Sequence, residues 1–265
     1  MSGKSLGDRM KEYEAVTTAA TLIRRVPVLI RLDGKSFHTF SRKLKSPYDE
    51  VFHECMAKTA MDLCKVTQGA KFAYHFSDEI SILITDYDTI DTEPYFGYVL
   101  QKVVSVTASA CTAAFANACL ERGVSWCPPY PMFDCRAFNV PQDEVVNAFL
   151  WRQQDCTRNS IQTLARTMFS HKQLHGANTS KMQDMMMVEK GVNWNKQTTR
   201  FKRGIAVYNA GAGWVADYEA PIFTKDREYI ERWVRPVEEG KDVSIVGFGD
   251  GIMDEAALGF KGRRV

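Results

Sequence analysis

A chain of 265 residues with 45% hydrophobic and 25% charged residues has the make-up of an ordinary soluble globular protein, long enough to bury a sizeable core. Its net charge of +2 excludes a grip on nucleic acid through bulk charge, so any such contact must use local clusters. Arg24-Arg25, Arg42-Lys43-Lys45 and Arg200-Lys202-Arg203 are the candidates, though each is more often a solvated face than a binding site.

The opening residues, Met1 to Tyr13, are polar and charged, with no signal peptide, and a short helix is expected from Ser5. Val26 to Leu32 reads as a buried strand. After an Asp33-Gly34 turn, Lys35 to Lys45 is polar with interleaved Phe37 and Phe40, a loop or short helical turn. Pro47 and Asp49 then start a helix to about Val66, with Val51, Phe52, Cys55, Met56, Thr59, Ala60 and Leu63 at helical spacing. Gly69 stops it. Lys71 to Phe76 and Ile80 to Thr85 form a hairpin around Ser77-Asp78-Glu79.

A long helix is expected from Pro94 to Arg122, ended by Gly123. Within it, Val103 to Leu120 carries no charge over 18 residues, near the length of a membrane span. Its Ser, Thr, Asn and Ala content instead marks a close-packed buried helix. Met132 to Val140 is a further strand, closed by Pro141. The order β-α-β-β-α-β is the split βαβ pattern of ferredoxin-like and polymerase-palm folds: an α+β core, mainly antiparallel, with helices on one face.

Beyond Pro141 helices are expected over 143–160 and 161–170, a Met-rich helix over 181–189, and a short strand over Ile205 to Tyr208. The chain therefore divides into a palm-like core, 1–140, and a helical elaboration packed on it, 141–265, as one compact unit. Seven cysteines without a C-x-x-C pair point to free thiols and a reducing, cytoplasmic setting.

Two acidic turns carry the chemistry. Arg31-Leu32-Asp33-Gly34 ends one apolar strand, and Ser77-Asp78-Glu79 opens another, 45 positions after Asp33. In a split βαβ sheet these strands are central neighbours, so the two carboxylates can meet. Such a pair suits Mg²⁺, which takes a few carboxylates plus phosphate oxygens and keeps its remaining waters. Gly34 permits a close backbone approach, and Lys35-Ser36-Phe37-His38 can turn N–H groups toward a triphosphate. Lys35, Lys45 and Arg31 add positive charge nearby. Asp33, Asp78 and Glu79 are the catalytic candidates.

Other signals are weaker. His171 and His175 stand at i,i+4 without a third ligand, so contact with phosphate through His171 and Lys172 is the better reading. Gly247-Phe248-Gly249-Asp250-Gly251 lacks the Lys-Ser/Thr of a P-loop and is read as a turn.

Four blocks resemble the tRNA-His guanylyltransferase family of 3′-to-5′ nucleotide polymerases. They are Arg31 to Phe40, Ser77-Asp78-Glu79, Phe133-Asp134-Cys135-Arg136 and Trp151-Arg152-Gln153-Gln154-Asp155-Cys156, with an echo at Arg203-Gly204. The resemblance covers roughly residues 5 to 210 and implies a palm-like nucleotidyltransferase acting on tRNA 5′ ends with two Mg²⁺ ions. A 5′-monophosphate end is activated with ATP or GTP, and the 3′-hydroxyl of an incoming nucleotide then attacks it. By motif match, Asp33, Asp78 and the Gly34 carbonyl are metal ligands. Residues 33 to 38, Lys45, Ser77 and Asp78 hold the nucleotide, and Arg31, Arg152, Arg158, Asn159, His171 and Lys172 are tRNA or phosphate contacts. A homo-tetramer is implied, and no membrane.

Two departures matter. Thr157-Arg158-Asn159-Ser160 stands where eukaryotic members carry His-Ile-Asn-Asn, which resembles the bacterial, archaeal and phage-like branch associated with templated repair of 5′-truncated tRNA. Ser46, not Lys, precedes Pro47, with Lys45 one place earlier. A palm-type nucleotide cyclase and a nucleotide-binding module without turnover are the rival classes.

Overall fold

The structure, a computed structural model, describes residues 4–40, 42, 44–124 and 131–235; the side chains of Thr17, His38 and Phe40, and the 247–251 glycine stretch, lie outside what is described. Helix α1 (Leu6–Thr18) opens on Ser5, whose hydroxyl accepts the Asp8 N–H. Strand β1 (Val28–Gly34) leads into the short α2 (Phe37–Phe40) and then α3 (Glu50–Val66). Asp49 caps α3 by accepting the Phe52 N–H at 2.9 Å. Strands β2 (Ala70–Phe76) and β3 (Glu79–Ile84) are the expected hairpin.

Helix α4 (Leu100–Glu121) begins six residues later than Pro94 suggests. Tyr95 and Tyr98 are buried anchors, and Phe96, Gly97 and Tyr98 all have positive φ, which no α-helix tolerates. Nor is α4 buried all round. Val103, Thr107, Cys111, Phe115 and Ala118 form one buried stripe, while Val106 and Leu120 face outward. By length and composition α4 is the one helix among the described residues that is apolar enough to cross a membrane. Here its stripe packs against α3 and β4 (Phe133–Asn139).

The segments expected at 143–160 and 161–170 are one continuous helix, α5 (Val145–Arg166). After it come α6 (His171–Leu174), α7 (Thr179–Lys190), α8 (Thr199–Arg203), β5 (Ile205–Asn209), β6 (Trp214–Asp217) and α9 (Glu228–Glu231). The part expected to be a helical elaboration thus also supplies two strands to the sheet.

The six strands run β4-β1-β3-β2-β5-β6, and every pairing is antiparallel. The first four reproduce the ferredoxin-like order with β1 and β3 central, as the α+β palm reading requires. Strand alternation then divides the molecule. Val28, Ile30 and Leu32 enter the core under α3 and α4. Leu29 enters a second core, where Phe149 of α5 meets Phe72 edge-on at 5.0 Å. Helices therefore cover both sheet faces, not one. The six described cysteines form no disulfide, and five of them are buried.

Candidate active site

The antiparallel register of β1 with β3 runs from Val28–Ile84 to Leu32–Ile80. One further step sets Asp33 against Glu79 and carries Gly34 toward Asp78 in the turn. On the other side of β1, Asp33 pairs directly with Asp134 of β4. The sheet end thus collects acidic groups because three strands finish together there.

Electrostatics sets these carboxylates apart. Burial raises Asp33 above the usual carboxylate range and the charge of Asp134 raises it further, while Arg136, Arg31 and Arg152 offset part of that rise. Asp78 is pushed up to about 6, mainly by burial; its hydrogen bond from Ser77 opposes the shift and the Asp33 charge adds to it. Asp33 and Asp78 are therefore in electrostatic reach of each other. Among the described residues neither forms an ion pair. Glu79 is different. Arg152 of α5 donates to both of its oxygens, at 2.7 and 2.9 Å, and also to Asp155 at 2.8 Å.

The backbone at the site is tightly turned. A Cβ on Gly34 would lie 2.3 Å from the ring of Phe37, so only glycine lets the chain fold over that ring. Ser36 and Ser77 have φ of 55° and 49°, uncommon for residues with a side chain. The Lys35 N–H donates to the Met132 carbonyl at 2.8 Å, which ties the first turn to the entry of β4.

Beside the acidic pair lies a cavity of about 380 Å³ lined by Lys45, Ser46, Asp49, His53, Ser77 and Asp78, among others. Asp49 closes one wall by accepting the Lys45 N–H at 2.9 Å as well as capping α3. Tyr48 stacks on His53 at 3.9 Å, and His53 faces the buried His75 at 5.8 Å. Burial holds His53 well below its usual pKa and takes His75 down to about 3, so both are neutral at pH 7.

Of the expected site residues, Asp78, Ser77 and Lys45 line this cavity, while Asp33 and Gly34 end the neighbouring strand within electrostatic reach of Asp78. Lys35 and Ser36 flank them on the surface. Phe37 does not offer its side chain: it is buried against Phe52, Phe115 and Phe133, leaving its backbone for any ligand. Arg152 is a correction. Expected as a tRNA contact, it is only 7% exposed and committed to Glu79 and Asp155, because a buried carboxylate at the hairpin needs a counter-ion. Glu79 accordingly braces the hairpin.

Arg31 lies 5.7 Å from the Trp151 ring on the Asp33 face. Arg158 is exposed and pairs with Asp155, and Asn159 lines a smaller cavity of about 120 Å³ beside Ser77. His171 and Lys172 sit on α6, exposed, as its first turn. Sequence reading missed Asp134, Arg136 and the Tyr48–His53 wall. The first two stood in a quoted block, but only the β1–β4 pairing reveals that they border Asp33.

The donor set fits a divalent ion shared with phosphate. Two carboxylates that form no ion pair among the described residues, beside the Gly34 backbone, give Mg²⁺ a few oxygens and leave sites for a triphosphate. Among the described residues no group of three or more acidic, His or Cys side chains forms a self-sufficient cage.

A family model described as tRNAHis guanylyltransferase matches residues 7–141, just over half of the chain. The chain belongs to that family, and it is a nucleotidyltransferase. A bacterial tRNA(His) guanylyltransferase-like protein solved in complex with ATP is 46% identical, with a TM-score of 0.83 over 87% of this chain and 99% of that one. A second such bacterial structure, in complex with GTP, is 39% identical with a TM-score of 0.74 over the same shares. The Schizosaccharomyces pombe tRNA(His) guanylyltransferase is 28% identical over 214 residues, 76% of this chain and 79% of its own. The Saccharomyces cerevisiae enzyme, at 20% identity and a TM-score of 0.63, shares the fold. All four blocks of the sequence resemblance fall on the sheet end or on α5 beside it.

Proposed function

We propose that this guanylyltransferase-family enzyme adds nucleotides to the 5′ end of tRNA in the 3′-to-5′ direction, as templated repair of 5′-truncated tRNA after activation of the 5′ phosphate with ATP or GTP. One observation carries this reading: two unpaired carboxylates, Asp33 and Asp78, converge beside a cavity that brings Lys45 and Ser77 to the same place.

Asp33, Asp78 and the Gly34 carbonyl would hold two Mg²⁺ ions, which would activate the attacking oxygen and stabilise the leaving group of each step: pyrophosphate as the 5′ phosphate attacks ATP or GTP, and the activating nucleoside monophosphate as the incoming 3′-hydroxyl displaces it. Lys45 and Ser77 meet the triphosphate in the cavity. The Glu79–Arg152–Asp155 network fixes α5 against the hairpin, and so keeps Asp78 at the mouth of the cavity. The repair reading, as opposed to single-G addition, is supported by Thr157 to Ser160 in place of His-Ile-Asn-Asn and by the greater likeness to the bacterial proteins. Thr157 and Ser160 bond inward there, to the Lys202 carbonyl and to Thr157 and Trp194, which leaves Arg158 and Asn159 outward.

The deciding experiment incubates the protein with Mg²⁺, ATP, GTP and a 5′-phosphorylated tRNA lacking its first nucleotide. Elongation by the nucleotide complementary to the opposite strand is expected. Cyclic nucleotide as product, or binding without turnover, contradicts the reading; a G added regardless of the opposite base contradicts the repair assignment alone.

A further inference from the structure

The α5 side of the sheet is graded along its length beyond Asp33. Cross-strand partners share a face, and Asp33–Asp134, Arg31–Arg136 and Leu29–Phe138 are successive partners on β1 and β4. Each step of two residues covers roughly 6.6 Å. From the acidic end this face therefore turns cationic and then apolar within roughly 13 Å, Leu29 itself being buried.

Over the apolar end stands Trp151 of α5, with Leu29, Phe138, Val140 and Phe149 around a groove of about 300 Å³. Trp151 is 53% exposed and Phe138 40%. Buried Arg152 lies 4.2 Å from the indole centroid and backs the ring, which fixes it while half of the residue stays open to solvent. A large aromatic held in place and left exposed is a platform, not a core residue. This groove shares no lining residue with the 380 Å³ cavity at Asp78, so the two can be filled together.

We propose that the Trp151 groove is a base-stacking subsite for the RNA acceptor: the unpaired base at its 5′ end lies on the indole, and its phosphate runs along Arg31 and Arg136 toward Asp33. An exposed aromatic next to arginines is the arrangement that holds single-stranded nucleic acid, because every base has a π face and every nucleotide a negative charge. A free triphosphate is better served by the more polar cavity with Lys45. The assignment rests on the reading of the chain as a tRNA 5′-end enzyme and adds to it a place for the acceptor.

The test uses the full chain and a 5′-phosphorylated RNA hairpin that lacks one 5′ nucleotide, with binding read by fluorescence anisotropy in the absence of triphosphate. Trp151→Ala should weaken binding about tenfold, the size of one base–aromatic stack, and Trp151→Phe should restore most of it. Affinity for GTP with Mg²⁺, read by calorimetry, should not move in either variant. With 5-iodouridine as the 5′-terminal base, irradiation should join the RNA to the peptide containing Trp151.

Unchanged RNA affinity in Trp151→Ala overturns the subsite, as does a crosslink mapped elsewhere. So does a parallel loss of GTP affinity, which would mean that the ring acts through Arg152. A fall in oligomer mass that tracks the RNA loss would make the groove a contact between copies instead. Absence of nucleotide addition by the unaltered protein, with the Trp151 crosslink intact, would count against the enzymatic reading and leave the subsite standing.

Discussion

Asp78 and Glu79 are neighbours in one turn, yet the fold treats them in opposite ways. Glu79 enters the α5 face, where Arg152 gives it two hydrogen bonds and shares itself with Asp155. Asp78 faces the cavity with a hydrogen bond from Ser77 and with Asp33 repelling it. A buried carboxylate with an internal cation is structural; one without is stored demand for a cation from outside. The contrast separates a bracing residue from one proposed to hold metal inside a three-residue motif.

The largest test breaks the unpaired side. Asp33→Asn and Asp78→Asn should each lower nucleotide incorporation by about a thousandfold, as expected when a site loses its hold on a catalytic metal. Circular dichroism should stay native, because no internal partner is orphaned. Activity within tenfold of the parent enzyme in either variant would remove that carboxylate from the metal site.

Breaking the paired side should act on stability first. Arg152→Ala leaves Glu79 buried and alone, at a cost of about 3 kcal/mol read by urea unfolding. Changing Glu79→Gln in the same chain should recover part of that loss, since the orphaned charge is gone. A loss below about 1 kcal/mol would show that the pair is not the brace described.

Asp78 also sharpens the comparison through pH. Its folded pKa of about 6 lies above the ordinary value of 3.8, so in metal-free protein the charge costs stability as pH rises from about 4 through 6. Asp78→Asn should therefore stabilise the metal-free protein at pH 7 by up to about 2 kcal/mol, with no gain below pH 4. Mg²⁺ with GTP should raise the melting temperature of the parent chain and not of the variant. At the small end, Arg158 also pairs with Asp155 but from an exposed position, so Arg158→Ala should change stability by less than about 0.5 kcal/mol.

What the sequence reveals follows how local each signal is. Asp33 and Asp78 were legible because a carboxylate at the end of an apolar run marks a strand end, and the split βαβ order fixes which strands are neighbours. Asp49 as cap and the α3 stripe were legible for similarly local reasons. The partner of Glu79 lies 73 positions away on another element, so Arg152 read as a free cation. Asp134 and Arg136 needed the β1–β4 register before they could be placed beside Asp33. Strand β6 is four residues in a glycine-rich stretch, too short for alternation to show. Trp151 looked like part of a motif; only the exposed ring, backed by Arg152, gives it a task.

The most direct measurement is a double-mutant cycle on calorimetric binding of a non-hydrolysable GTP analogue with Mg²⁺, using Asp33→Asn, Asp78→Asn and the pair together. If both carboxylates serve one shared metal site, either change removes metal-dependent binding and the double variant is no worse than the singles. Two partial losses that simply add would contradict that shared site.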